Sequence, residues 1–320
     1  MNHSRRSEDG RLELNQEEHA AGRDNSAGEA KTIAGESADT TLKLPEGSCD
    51  CHVHIYGPFD RFPPYNAGMY SAPEEHPVEA LLDLWDRHGI ARGVIVHALG
   101  AGPDNAATYD ALRRYPDRLR GVAILDQDVT DKRLNELNDA GFRGVRINLF
   151  RMNGKKVAAG GMTLEDLEAL APRLGERGWH AQLWIEVGDL AEIAPRLEKL
   201  PLDYVVDHMG RTPVAWGVDN PGTRDLVERL KTGRYWAKIS GADRNTQTGA
   251  PYTDVDPFMR TLVEANPDRL VWGTDWPHVG HTPETLPQEN NLIALLRRVV
   301  TDEDVLHRIL VQNPRALYGF

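Results

Sequence analysis

The order and spacing of apolar runs predict an α/β fold, a (β/α)8 TIM barrel in a single domain. Three observations carry that prediction. Eight short, β-branched runs recur from residue 49 onward, several of them nearly all apolar, as strands buried on both faces of a parallel sheet are. Amphipathic stretches of helical period lie between them. The eight units span about 270 residues of a chain of 320, near the ~250 usual for one barrel.

The elements follow in order. Residues 1–44 hold no aromatic residue and no cysteine and are rich in Glu, Ala, Gly, Asp and Ser. Such a segment buries too little apolar area to offset its ordering entropy, so a disordered tail is expected, with a short helix at 12–21 as the lesser reading. The barrel is expected over 45–320. Its first strand, 49–55 (CDCHVHI), alternates faces. Asp50, His52 and His54 should share one face, and Cys49, Cys51 and Val53 the other, turned away from the barrel interior. The connection 57–77, rich in proline and aromatic residues, should cap the mouth. A helix at 78–88 leads to the second strand, 92–98. The run Gly100-Ala101-Gly102-Pro103-Asp104-Asn105 lacks the third glycine of a dinucleotide fingerprint, so the open doubly wound sheet is the weaker alternative.

Further helices are expected at 106–115, 163–177 and 223–231, where Thr163 offers an N-cap and Gly178 a stop. The remaining strands are placed at 119–125, 143–149, 180–186, 203–209, 235–240 and 269–275.

Composition narrows the function. A net charge of -12 argues against nucleic acid and anionic membrane surfaces as partners. It leaves an anionic small molecule open, because a local arginine cluster outweighs a distant acidic surface. Two cysteines give no disulfide framework, so a cytoplasmic setting is expected. No run approaches the ~20 apolar residues of a membrane span. Oligomeric state and the purpose of the tail are left open.

Catalytic groups in such barrels sit at the C-terminal ends of strands. His52 and His54 close the first strand, Arg146 and Asn148 lie late in the fourth, His208 closes the sixth and Asp275 the eighth. Two imidazoles one strand repeat apart, with a distant His and Asp, can hold a metal or polarise a carbonyl directly. Arg146, Arg151, Arg211 and Arg244 follow or end strands, and guanidinium forks suit carboxylates; solvation is the plainer reading for some of them. Tyr70, in the first loop, is a further candidate that could equally pack. His97 lines the site or packs, and His278 orients Asp275. Ser240 and Ser71 lack an evident base partner, and a thiol nucleophile is not expected.

The motifs His52-Val53-His54, residues 144–148 (GVRIN), residues 207–211 (DHMGR), residues 273–278 (GTDWPH) and residues 313–318 (NPRALY), with the Asp104-Asn105 pair, resemble those of the amidohydrolase superfamily, in its 2-pyrone-4,6-dicarboxylate lactonase-like branch. The resemblance covers about residues 45–320. It implies hydrolysis of a carboxylated lactone (pyrone dicarboxylate-like or muconolactone-like). Asp275 would activate water, and His52, His54 and His208 would donate hydrogen bonds to the carbonyl oxygen. It also implies that Arg146 and Arg244 grip substrate carboxylates, with Arg151 near another such position.

Metal-dependent members place a histidine on the fifth strand, whereas this strand ends in Glu186 and its His180 begins it, at the far end of the barrel. The lysine that bridges two metals is absent from the fourth strand. No cofactor is therefore the preferred expectation. The alternative is a Zn²⁺-dependent sugar-acid lactonase or decarboxylase with His52, His54 and Asp275 as ligands, Glu186 being a possible oxygen donor. A non-catalytic barrel binding a small acid is the third reading, and the cost of unused converging polar groups argues against it.

Overall fold

The computed structural model describes residues 41–65, 74–102, 104–152, 155–156 and 161–320. Eight strands lie in one sheet in chain order: β1 (Cys49–Val53), β2 (Arg92–Val96), β3 (Leu119–Ala123), β4 (Phe142–Asn148), β5 (His180–Trp184), β6 (Tyr204–Val206), β7 (Tyr235–Lys238) and β8 (Leu270–Val271). Every pairing between neighbours is parallel. Backbone hydrogen bonds bring the last strand back to the first: Cys51 N to Trp272 O at 2.8 Å, Asp275 N to His52 O at 2.9 Å and His54 N to Trp276 O at 2.8 Å. The expected TIM barrel is the observed fold.

Each strand is followed by a helix: α1 (Val78–His88), α2 (Ala106–Arg114), α3 (Asp131–Ala140), α4 (Leu164–Gly175), α5 (Leu190–Leu197), α6 (Pro221–Lys231), α7 (Asp256–Ala265) and α8 (Glu289–Val299). Sequence chemistry sets their ends. In α4, Thr163 accepts from Asp166 N while the Asp166 side chain accepts from Thr163 N, a reciprocal capping box. Asn220 caps α6 and places Pro221 at its first position, two residues earlier than the apolar pattern suggests. α1 ends at Gly89 in the left-handed conformation. No helix among the described residues is long and apolar enough to cross a membrane.

The core has two layers. The outer one joins strand residues such as Ile95, Val145 and Leu183 to helix residues such as Trp85, Leu112 and Leu167. The inner one fills the barrel with Cys49, Cys51, Val94, Val96, Val122, Val205, Trp236, Val271 and Tyr318. This corrects the expected facing of β1: both cysteines point inward. Asp50 points outward, toward Trp85 of α1. The cause is a register shift between Asp50 and Val53, which breaks the strict alternation and brings His52 inside one residue after Cys51. Asp50 then stitches the barrel seam. Its carboxylate accepts from His52 N (3.2 Å), Thr274 N (3.0 Å) and Thr274 Oγ1 (2.7 Å).

The tail expected over residues 1–44 lies outside the described residues as far as residue 40. Beyond it, Leu42 N donates to Asn290 Oδ1 at 2.9 Å and Leu44 is buried, so packing against the barrel reaches past the boundary expected at 45. Tyr70 and Ser71 also lie outside the described residues, as does the middle of the 57–77 connection.

Candidate active site

At the C-terminal rim β1 and the loops after β1, β6 and β8 bring three imidazoles to one carboxylate. Asp275 Oδ1 lies 3.4 Å from His54 Nε2, 3.7 Å from His52 Nε2 and 3.8 Å from His208 Nε2. The four expected groups therefore converge. Asp275 and His54 are nearly buried, and His52 and His208 more so.

Local backbone strain holds two of these residues in place. Asp275 has φ 68°, and residues His208, Met209, Gly210 and Arg211 form a consecutive left-handed run with φ 54°, 55°, 67° and 48°. L-residues adopt that conformation at a cost of about 1–2 kcal/mol each. The surroundings hold the run: Asn245 Nδ2 donates to His208 O at 3.1 Å, and Thr212 Oγ1 donates to Met209 O at 2.7 Å. Strain of this kind gathers where a site dictates geometry.

A cavity of about 500 Å³ opens above the carboxylate. Its polar wall is His54, His208, Asp275, Arg146, Arg211 and Arg244; Tyr56, Leu99 and Trp184 supply much of the rest. Three of the four expected arginines thus line one chamber. Arg146 donates from Nε to Asp207 Oδ2 at 2.9 Å and lies over the Trp184 ring. Arg211 stacks on Phe150, whose ring in turn stacks on Trp184. Arg244 reaches Asp275 Oδ2 at 3.4 Å, Val279 O at 2.9 Å and the buried Asp243 at 3.1 Å. Arg151 is exposed on a short antiparallel ribbon, Arg151–Met152 with Lys155–Lys156, and does not line the cavity.

Ionisation states follow from burial and neighbours. Burial opposes charge on Asp275, but His208, Arg244 and His52 outweigh it and hold the carboxyl well below its ordinary value. Burial pushes His208 down to about 4, against the pull of Asp275 and Asp207. Burial and then Lys238 push His52 well below the ordinary histidine range. His208 and His52 are therefore neutral imidazoles near pH 7. The Nδ1 of His54 meets Val96 O at 2.7 Å; a carbonyl only accepts, so Nδ1 carries a proton and Nε2 faces Asp275.

Several expectations need correction. His52 does not line the cavity but lies fully buried beneath Asp275. Glu186 sits outside the cavity lining at the start of a 3₁₀ turn, because β5 ends at Trp184 and the chain turns away before the next inward position. Ser240 does have a base within reach, His208 Nδ1 at 3.0 Å, yet it does not line the cavity either. His278 supports Asp275 only through its backbone N–H, at 2.9 Å. His97 is spent on Thr108 Oγ1 and Gly102 O. His180 lies at the far end of the barrel as expected, against Tyr318.

Sequence reasoning missed Lys238 and gave Asp207 no role. Lys238 ends β7 fully buried, with Nζ 2.7 Å from Gln182 Oε1, 2.9 Å from His52 Nδ1 and 3.1 Å from Asp207 Oδ1. A lone lysine in the apolar run of residues 235–240 (YWAKIS) was the available signal, since lysine is almost never fully buried unless paired. Asp207 is held ionised against burial by Lys238, His52 and Arg146.

Among the described residues, His52, His208 and Asp275 offer ligand atoms within 4.8 Å of one another, close enough to hold a metal ion. His208 thus stands where His54 was expected in a metal set.

The family model described as Amidohydrolase matches residues 49–320. A 4-sulfomuconolactone hydrolase of Hydrogenophaga intermedia is 35% identical over 277 residues, 86% of this chain and 90% of its own. A 2-pyrone-4,6-dicarboxylate hydrolase of Comamonas testosteroni is 35% identical over 286 residues, 87% and 92% of the two chains. Among solved structures, a probable 2-pyrone-4,6-dicarboxylic acid hydrolase of Acinetobacter baumannii, with citric acid bound, superposes with a TM-score of 0.75. It is 27% identical, over 86% of this chain and all of the other.

Proposed function

The chain belongs to the amidohydrolase family, and from that premise we propose that it hydrolyses a lactone bearing carboxylate or sulfonate groups. One observation carries the reading: a single cavity sets an ionised Asp275 and two histidines against Arg146, Arg211 and Arg244. Names of the relatives, both lactone hydrolases, support the same reaction class.

Arg211 and Arg146 pair with the anionic groups and fix the ring, which supplies orientation. Asp275 takes a proton from water, and the hydroxide oxygen forms a bond to the lactone carbonyl carbon. The carbonyl π electrons move onto oxygen, where His208 donates from Nε2 while its Nδ1 accepts from Ser240 Oγ–H. The ring C–O bond then breaks. The leaving oxygen is protonated from Asp275 or from His54 Nε2, 3.4 Å away, to which the proton can pass. The product is an open-chain acid with one more carboxyl group.

A metal-assisted version is the second reading, because the His52, His208 and Asp275 set is compact enough for an ion that would polarise the carbonyl. The protonation of His52 speaks against the fit. Its Nδ1 takes a hydrogen bond from the Lys238 ammonium, so Nε2 holds the proton and offers no lone pair. No step is therefore routed through a metal.

The reading is tested by pH-stat assay of lactones with zero, one and two anionic groups, with and without a chelator. Hydrolysis should favour the anionic lactones and survive the chelator, and Arg211→Met should raise KM for them about 10-fold or more. Indifference to substrate charge, or no turnover across the set, would overturn the proposal. Loss of activity to the chelator would favour the metal-assisted reading.

A further inference from the structure

We infer that Lys238 is a positioning residue that fixes the proton of His52 on Nε2, facing Asp275, and so denies that nitrogen to a divalent ion. The inference rests on the lactonase reading only for its effect on turnover.

His52 Nδ1 has two competing neighbours. Asp207 Oδ1, 3.4 Å away, would accept a proton from Nδ1; Lys238 Nζ, 2.9 Å away, donates one to it. The choice decides the far nitrogen. With Asp207 as the partner, Nδ1 holds the proton and Nε2 turns a lone pair toward Asp275 and His208, the arrangement a metal ligand needs. With Lys238 as the partner, Nε2 holds the proton and turns a donor toward the carboxylate.

Three features favour the lysine. It is the nearer neighbour. An ammonium has three N–H groups and no lone pair, and Nζ has three acceptors in reach: Gln182 Oε1, Asp207 Oδ1 and His52 Nδ1. The competing oxygen, Asp207 Oδ1, itself lies nearer Lys238 Nζ, at 3.1 Å, than His52 Nδ1, at 3.4 Å. His52 Nε2 is itself buried and has no hydrogen-bond partner among the described residues, its nearest anion being Asp275 Oδ1 at 3.7 Å. A donor aimed at the carboxylate from below fits that gap once the carboxylate shifts onto it. Lys238, a cation on β7, thus does for Asp207 part of what a bound ion would do, without a coordination site.

The test is direct. In wild-type protein labelled with ¹⁵N-histidine, the His52 signals, assigned by their absence in His52→Asn, should show a protonated Nε2 and an unprotonated Nδ1. Lys238→Met should let Asp207 take the Nδ1 proton. That variant should retain about one zinc per chain through gel filtration where wild type retains none, and should lose the zinc again when His52→Asn is added. Turnover of Lys238→Met should fall ~10–100-fold, with KM changing less, as for other residues that orient a working histidine.

A protonated Nδ1 in wild type, or equal zinc retention by wild type and Lys238→Met, would overturn the inference. Should the variant fail to fold, the wild-type spectrum alone decides. The spectrum and the zinc content need no substrate, so they stand even where every lactone is left unopened.

Discussion

Asp275 is both buried and charged, and its neighbours explain how. A carboxylate taken from water into a protein interior loses several kcal/mol of solvation unless partners replace it. Here the replacement comes from Arg244 at 3.4 Å and from the Nε2–H groups of His52 and His208 at 3.7 Å and 3.8 Å. The result is an anion held below its ordinary pKa, which is available as a base throughout the neutral range but is a weak one. Its proximity to His54 offsets the weakness, since a proton gained at Asp275 has a second acceptor within 3.4 Å. The imidazoles are not interchangeable. His54, fixed by Val96 O, turns a lone pair toward Asp275 Oδ1, whereas His208 beside Ser240 Oγ and His52 beside Lys238 Nζ each turn an Nε2–H.

The segment after β6 and the end of β7 form the least ordinary element. The left-handed run at 208–211 carries an imidazole and an arginine that both line the cavity, and Gly241 faces it. A Cβ on Gly241, which has φ 70°, would lie 2.7 Å from His208 Cβ and 2.9 Å from its Nδ1. Gly241→Ala should therefore push His208 off Ser240, lower kcat by at least ~10-fold and destabilise the fold by about 1–3 kcal/mol. Wild-type kcat and Tm in that variant would show that the turn does not set the histidine.

The same elements mark what was legible in the sequence. Strand number, helix order and the convergence of His52, His54, His208 and Asp275 follow from periodicity and from the rule that barrel sites lie at strand ends. The facing of β1 does not, because a single register shift after Asp50 inverts the pattern that alternation predicts. Arg151 and Glu186 were misplaced for a similar reason: proximity in sequence to a strand end says nothing about how the following loop turns. Lys238 was visible as an anomaly, yet its three partners come from β1, β5 and the turn after β6, contacts that no local pattern encodes.

At the scale of the whole molecule, the barrel interior is a buried polar column. It runs from Tyr318 and His180 through Gln182 and Lys238 to Asp207 and Arg146 at the cavity. The buried titratable groups of this column make stability depend on pH. Burial holds His97 and His208 at about 4 and His180 at about 3, and holds His52 lower than usual. In the unfolded chain each would take up its proton near pH 6.5. Between about pH 4 and 6.5 the unfolded state therefore binds more protons at these four positions, and stability rises with pH. Asp50, raised to about 6 by burial despite its hydrogen bonds, opposes with one group, since its folded form takes up a proton over part of that window. The histidines outnumber it. Tm should climb steadily from about pH 4 to 6.5 and level off above, with His97 alone contributing on the order of 3 kcal/mol. A Tm that is flat or falling across that window would contradict the neutral, buried state of these histidines.

The central claim is that Asp275 takes the proton of the attacking water. Its most direct test is the ring-opening rate of Asp275→Asn on the best anionic lactone, measured beside wild type in ¹⁸O-water and at matched folded concentration. The account predicts one ¹⁸O in the newly formed carboxyl group of the wild-type product and a fall of at least ~100-fold in kcat for the variant, with Tm little changed. A variant that opens the lactone at nearly the wild-type rate would contradict it.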